Sequence, residues 1–182
     1  MCLFRQALHT VQRMGLWSDE ELDYSQAPSL TGEAVERLLT EANTARFCSF
    51  NKDGTIHATP VWFKYEKGHI LITTPERSRK ARNVRRNKTV TVLVDIPGAS
   101  ARGVIVYGKA TYEKMSTHEE HVSFMSSLVE KYMKPDEARR FAEAMFKVSR
   151  WARIIVKPER MASFDYGRDE IFNEAFRYAQ RG

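Results

Sequence analysis

The stretch "HILITTPERSRKARNVRRNK", His69 to Lys88, changes character at its middle. A β-branched run ends in Thr73 and Thr74. A turn then opens into a segment whose spacing predicts a helix, with Ser78 as its N-cap and Ala81 and Val84 facing inward. From Arg77 to Lys88, seven of the twelve residues are cationic and none is acidic. A strand that hands over to a basic helix start is a place to hold a phosphate. Backbone N–H groups and the positive end of the helix dipole converge there with cationic side chains. The rival occupant is nucleic acid.

The charge distribution favours the phosphate. The net charge is +6 and this run alone carries +7, so the rest of the chain sums to −1. A nucleic-acid binder spreads its cations over a face built from several elements. Nucleic acid is therefore not the expected partner. The 182 residues, 42% hydrophobic and 29% charged, suit one globular domain with a real core. No apolar run is long enough to span a membrane, and the N-terminus "MCLFRQALHTVQRMGLW" lacks the features of a signal peptide. Cys2 and Cys48 make no disulfide framework, and Cys48 is expected to be a small core residue. The expected compartment is the cytoplasm, with no membrane partner.

Working outward, residues 3–14 fit a short helix and "SDEELDYSQAPS" a polar linker, so 1–28 reads as an extension to the domain. Thr31 is expected to cap a helix over "TGEAVERLLTEA" with Val35, Leu38 and Leu39 on one face. Then the period becomes that of strands. "ARFCSF", the turn "NKDG" and "TIHATPVWFK" read as a hairpin, with Pro60 marking an edge, a bulge or backbone left free for a ligand. "YEKG" turns the chain into "HILITT". After the basic helix come "TVTVLVD", with Val90, Val92 and Val94 on one face, and "RGVIVYGKATYEK", whose Gly103 and Gly108 suggest bulges or close backbone approach. Two helices follow, one starting at Ser116 or Thr117 and one with Pro135 at N1 and a buried stripe of Phe141, Met145 and Val148. "WARIIVKP" and "RMASFDYG" read as the last strands, and residues 168–182 as a tail that can form a helix. Strands joined mainly by hairpins, with helices grouped at the ends, give a mainly β or α+β plan: a small antiparallel barrel with peripheral helices over 29–167.

No nucleophile elbow, metal-ligand spacing or nucleotide-type glycine fingerprint is present. His118 and His121, at i, i+3, fit a helix face better than a metal site, and His57 and His69 read as structural. What rises above background is "TPVWF", expected to pair with "ILITT", which leads into "SRK". Backbone amides and flat aromatics, then strand-end hydroxyls, then cations would suit a planar heterocycle with a phosphate tail.

The ordered set "DG…HATPVWF…ILITT…SRKARNVRRN…V…GKA" resembles the flavin-binding split-barrel family related to pyridoxamine 5′-phosphate oxidase, over about Leu30 to Tyr112 and less closely to Tyr166. The resemblance implies an antiparallel split β-barrel acting as a homodimer, with FMN in the cleft between subunits. It implies that Thr59, Pro60, Val61 and Trp62 run along the flavin ring through backbone contacts. Thr73, Thr74, Arg79 and Lys80 would grip the phosphate, with Ser78 capping the helix and Lys64 lying near the flavin. Arg82, Arg85, Arg86 and Lys88 are then surplus, expected on a solvated or dimer-facing surface.

The chain departs from the oxidase proper. Gly103 stands where the resemblance places a flavin-contacting glutamine, and the oxidase's Arg-Pro element and its C-terminal tryptophan- and arginine-containing tail are not recognisable. The expected function is that of an FMN-binding oxidoreductase transferring hydride at flavin N5 on an unidentified small molecule, not of a true pyridoxamine phosphate oxidase. The substrate is expected against Trp62, Trp151 or Tyr107. The alternatives are the same fold using the deazaflavin coenzyme, whose longer anionic tail would use Arg82 or Arg86, and a nucleic-acid module built on the basic helix.

Overall fold

The computed structural model describes residues 27–42, 44–98 and 100–180; the helix expected over 3–14 and Cys2 lie outside them. Thr31 caps α1 (Gly32–Glu41), its hydroxyl accepting from the Ala34 amide, and Leu38 and Leu39 turn inward. The strands β1 (Ala45–Phe50) and β2 (Ile56–Val61) form the expected hairpin, with Gly54 at φ +84° in its turn. Then come β3 (Lys64–Glu66), β4 (His69–Pro75), α2 (Arg79–Arg86), β5 (Thr89–Ile96) and β6 (Arg102–Lys114). Thr117 closes a capping box on α3 (His118–Val129), and α4 (Pro135–Val148) starts with its proline at N1. The chain ends with β7 (Trp151–Asp165), a 3-10 turn and α5 (Glu170–Gln180).

The seven strands form one antiparallel sheet in the order β2-β1-β5-β6-β7-β4-β3. Its two outermost strands, β2 and β3, are consecutive in sequence and separated only by Trp62 and Phe63. The sheet must therefore curl until its edges meet at that dipeptide, which gives a split barrel of the α+β class. Residues alternate along β4 and β5, so that Ile70, Ile72, Val90, Val92 and Val94 point inward to join Phe47 and Phe63. Each such fully buried side chain contributes about 1.5–3 kcal/mol of transfer free energy. A second apolar cluster holds α3 to α4 around Met125, Leu128 and Ala142.

Several expectations change. "TIHATPVWFK" is not one strand, because the chain leaves the ladder at Trp62 to cross the seam. "TPVWF" does not pair with "ILITT" either: Thr59, Pro60 and Val61 face Phe47, Arg46 and Ala45 of β1, while Thr73 and Thr74 face Arg153 and Ala152 of β7. "WARIIVKP" and "RMASFDYG" are one strand. Pro158 is tolerated within it because pairing with β4 ends at Val156, leaving β6 as the sole neighbour. Opposite Pro158 the register shifts between Tyr107 and Gly108, and a side chain at Gly108 would collide with the Lys157 carbonyl. On α4 the buried residues are Ala138 and Ala142, and Val148 is exposed. Cys48 lies on the outward side of β1 with Arg46 and Phe50, half-buried and outside the core.

Candidate cofactor site

The end of β4 and the start of α2 are tied together by hydroxyls. Thr74 Oγ1, fully buried, shares a 2.8 Å hydrogen bond with Ser78 Oγ, which also accepts from the Ala81 amide at 3.2 Å. That satisfies one first-turn donor and leaves the Arg79 and Lys80 amides open at the positive end of the helix. Arg79 is exposed and Lys80 half-buried, and among the described residues neither is paired with a carboxylate. Burial pushes the Lys80 ammonium below its ordinary pKa. A partly desolvated cation without a counter-ion is in the environment that an anion relieves. Thr73 points the other way. It shares a strand face with its partner Arg153, which reaches Phe124 of α3, and its hydroxyl is buried without a hydrogen-bond partner. The expected threonine pair is thus divided between the two faces of β4.

The surplus cations Arg82, Arg85, Arg86 and Lys88 all lie exposed, as expected, and the three arginines also make contacts of their own. Arg82 donates to the Arg77 carbonyl at 2.7 Å; Arg86 donates to the Phe50 carbonyl at 2.6 Å and to Asn83 Oδ1 at 2.9 Å; Arg85 lies over the Tyr112 ring. Asn83, 3% exposed, donates from Nδ2 to Ser49 Oγ and Asn51 Oδ1. These contacts seat α2 on the β1–β2 hairpin. On β2, burial first and then the charges of Arg79 and Lys80 push the His57 imidazole below its ordinary range. The charges of the basic helix start therefore act on the first half of β2.

Farther along β2 lies the expected ring strip. β2 is an edge strand, which accounts for Pro60 and leaves backbone groups of Thr59 to Val61 unpaired on one side. At the seam, Tyr132 substitutes for a neighbouring strand: the Phe63 N–H donates to its hydroxyl at 2.9 Å, and that hydroxyl donates to the Phe63 carbonyl at 3.1 Å. The Tyr132 ring stacks on Trp62 with centroids 4.8 Å apart. Lys64 donates to Ser127 Oγ at 2.7 Å and pairs with Glu66 at 2.9 Å, so its ammonium joins β3 to α3. Lys131 lies 4.2 Å over the Phe63 ring with a buried Nζ that has no hydrogen-bond partner.

Asn83 and Tyr132 are the residues that sequence reasoning missed. Asn83 had a signal, because it is a polar residue next to Val84 on the inward side of the helix. Tyr132 had none, since its partner Phe63 is 69 residues away. Buried His121 has Nε2 within 3.0 Å of the Ala142 carbonyl oxygen, whereas exposed His118 meets the Phe146 ring edge-on; no group of three or more metal-ligating side chains occurs among the described residues.

A family profile described as pyridoxamine 5′-phosphate oxidase matches residues 31–160. The chain belongs to this family. No curated protein matches it. Among solved structures, this member of the pyridoxamine 5′-phosphate oxidase family is similar to a conserved hypothetical protein of Mycobacterium tuberculosis, with TM-score 0.65 and 22% identity over 80% of this chain and 91% of that one. It is also similar to an FAD-binding protein of Mesorhizobium loti, with TM-score 0.55 and 20% identity over 75% and 94%. An F420 reductase has TM-score 0.54 and 19% identity over 72% and 98%. These likenesses give the fold. Relatives on this fold include flavin-binding proteins.

Proposed function

We propose that this chain binds FMN, with its phosphate at the start of α2 and its ring along the outer edge of β2. The observation that carries this reading is Lys80, a half-buried ammonium with no carboxylate partner among the described residues, set beside Arg79 at a helix N-terminus whose charges act on His57 of β2. A phosphate there would take charge-assisted bonds from Arg79 and Lys80, the open first-turn amides and Ser78. Thr74 holds Ser78 in place from within the barrel, and Thr73 lies on the face that α3 covers. The backbone of Thr59 to Val61 supplies donors and acceptors to a flat ring. Trp62 ends the strip, and Lys64 fixes its far end to α3. FMN, when bound, supplies hydride transfer at N5; the chain's part is binding, orientation and exclusion of water. The strip lies on an open sheet edge, so a second copy of the chain is the natural cover, consistent with a homodimer whose subunits share the site.

Two observations refine the chemistry. A side chain at Gly103 would meet the Phe164 ring at 2.7 and 2.9 Å, so the oxidase's glutamine would fit here only if that ring moved. This supports an oxidoreductase acting on a small molecule other than pyridoxamine phosphate. Arg82 and Arg86, either of which a deazaflavin tail would use, already donate to backbone carbonyls, which favours FMN. The test is to purify the protein from its native source, release the cofactor and weigh it. FMN is the expected mass. A deazaflavin coenzyme, or a colourless protein that binds DNA in a salt-sensitive manner, would overturn the reading.

A further inference from the structure

Several large aromatic rings among the described residues are already engaged. Tyr107 is covered by Arg160 at 4.0 Å, Tyr112 by Arg85 at 5.0 Å, and Phe63 by Lys131 at 4.2 Å. Trp151 is half-buried among the α3 and α4 side chains and donates from Nε1 to the Met145 carbonyl at 2.9 Å. Trp62 differs. It is 44% exposed, and one face of its indole is backed by Tyr132 at 4.8 Å and 16°, with Phe141 tilted behind at 6.0 Å. Tyr132 is itself fixed by its two hydrogen bonds to the Phe63 backbone. The indole is therefore rigid on one side and open on the other, so little side-chain entropy remains to be lost when something stacks on it. The corner around it offers a ring more than a charge, because Lys64 is paired with Glu66 and Lys131 Nζ is shut away from solvent.

We propose that Trp62, backed by Tyr132, is the substrate platform, and that it selects a planar, unsaturated, uncharged ring. The proposal rests on the FMN reading in one respect: Trp62 directly follows the strip assigned to the cofactor, which would put a ring stacked there beside the site of hydride transfer. Face-to-face stacking on a preorganised indole favours a conjugated ring over a saturated one of similar size by about tenfold.

The test uses the full chain saturated with FMN and two probes of the same bicyclic skeleton, 1,4-naphthoquinone and the saturated decahydronaphthalene-1,4-dione, with binding read by equilibrium dialysis. Wild-type protein is expected to prefer naphthoquinone. Trp62→Leu should lose about tenfold of that preference, and Trp62→Phe should keep most of it. An unchanged preference in Trp62→Leu overturns the proposal. So does mutual exclusion of naphthoquinone and FMN, which would make the indole part of the cofactor site and leave the flavin reading standing. A wild-type dimer that Trp62→Leu converts to monomers also overturns it, because the ring would then be a subunit contact. If wild-type protein takes up no FMN yet shows the Trp62-dependent preference, the platform stands and the flavin reading falls.

Discussion

Two lysines near the barrel show how the surroundings of an ammonium decide its use. Lys80 and Lys131 are both pushed down by burial, Lys131 to about 8 from an ordinary 10.5. Lys80 sits beside Arg79, open helix amides and hydroxyls, a setting that invites an anion. Lys131 sits on the Phe63 ring, with no acceptor in reach of its Nζ and with desolvation as the one cause of its shift. The unfolded chain keeps the Lys131 proton up to about 10.5, whereas the folded chain releases it near 8. Folding stability should therefore rise with pH across that interval, and the penalty is present in full below it. Lys131→Met should remove the rise and add about 1–2 kcal/mol at pH 7, a linkage value discounted for partial solvation. Denaturant titrations at pH 7 and pH 10 check both; a variant no more stable than wild type at pH 7 would contradict the assignment. The position of Lys80 at a capped, basic helix start was legible in the run of cations, because a helix start is a local feature. The role of Lys131 was not, since nothing near it in sequence announces Phe63.

At the level of elements, the legible parts are those whose causes are local. The caps Thr31, Ser78 and Thr117, the Pro135 start and the Asp-Gly hairpin were each written in a few adjacent residues. Long-range pairing was not. The break at Trp62 reads in sequence as more strand, because Trp and Phe favour strands as much as Ile and Val do. It is curling of the whole sheet that pulls those two residues out of the ladder. The single β7 was hidden by Pro158, whose place is explained only by where β4 stops. The seam itself depends on one hydroxyl. Tyr132→Phe keeps the stack on Trp62 but leaves the Phe63 N–H and carbonyl without their partner, which should cost about 1–3 kcal/mol. A change within about 0.5 kcal/mol, the usual range for surface substitutions, would mean that water replaces the hydroxyl and the seam is not clamped.

For the molecule as a whole, the sheet order places β2 at an edge and the α3–α4 hairpin across the seam. The candidate site is therefore built on one barrel edge with α2 at one end and Trp62 at the other. The antiparallel barrel was legible from strand spacing and from the ordered motifs, and membership of the pyridoxamine 5′-phosphate oxidase family agrees with it. Which threonine meets Ser78 was not, because Thr73 and Thr74 look alike in sequence and only the pleat of β4 sends them to opposite faces. Among the described residues no helix is long and apolar enough to cross a membrane. Cofactor binding by this chain, as proposed, depends on the start of α2 as a phosphate grip. Its most direct test is the FMN affinity of the double variant Arg79→Ala/Lys80→Ala, measured by titration alongside a far-ultraviolet circular dichroism spectrum. Two charge-assisted contacts to one phosphate predict an affinity loss of at least about a hundredfold with an unchanged spectrum. Wild-type FMN affinity in the folded double variant would contradict it.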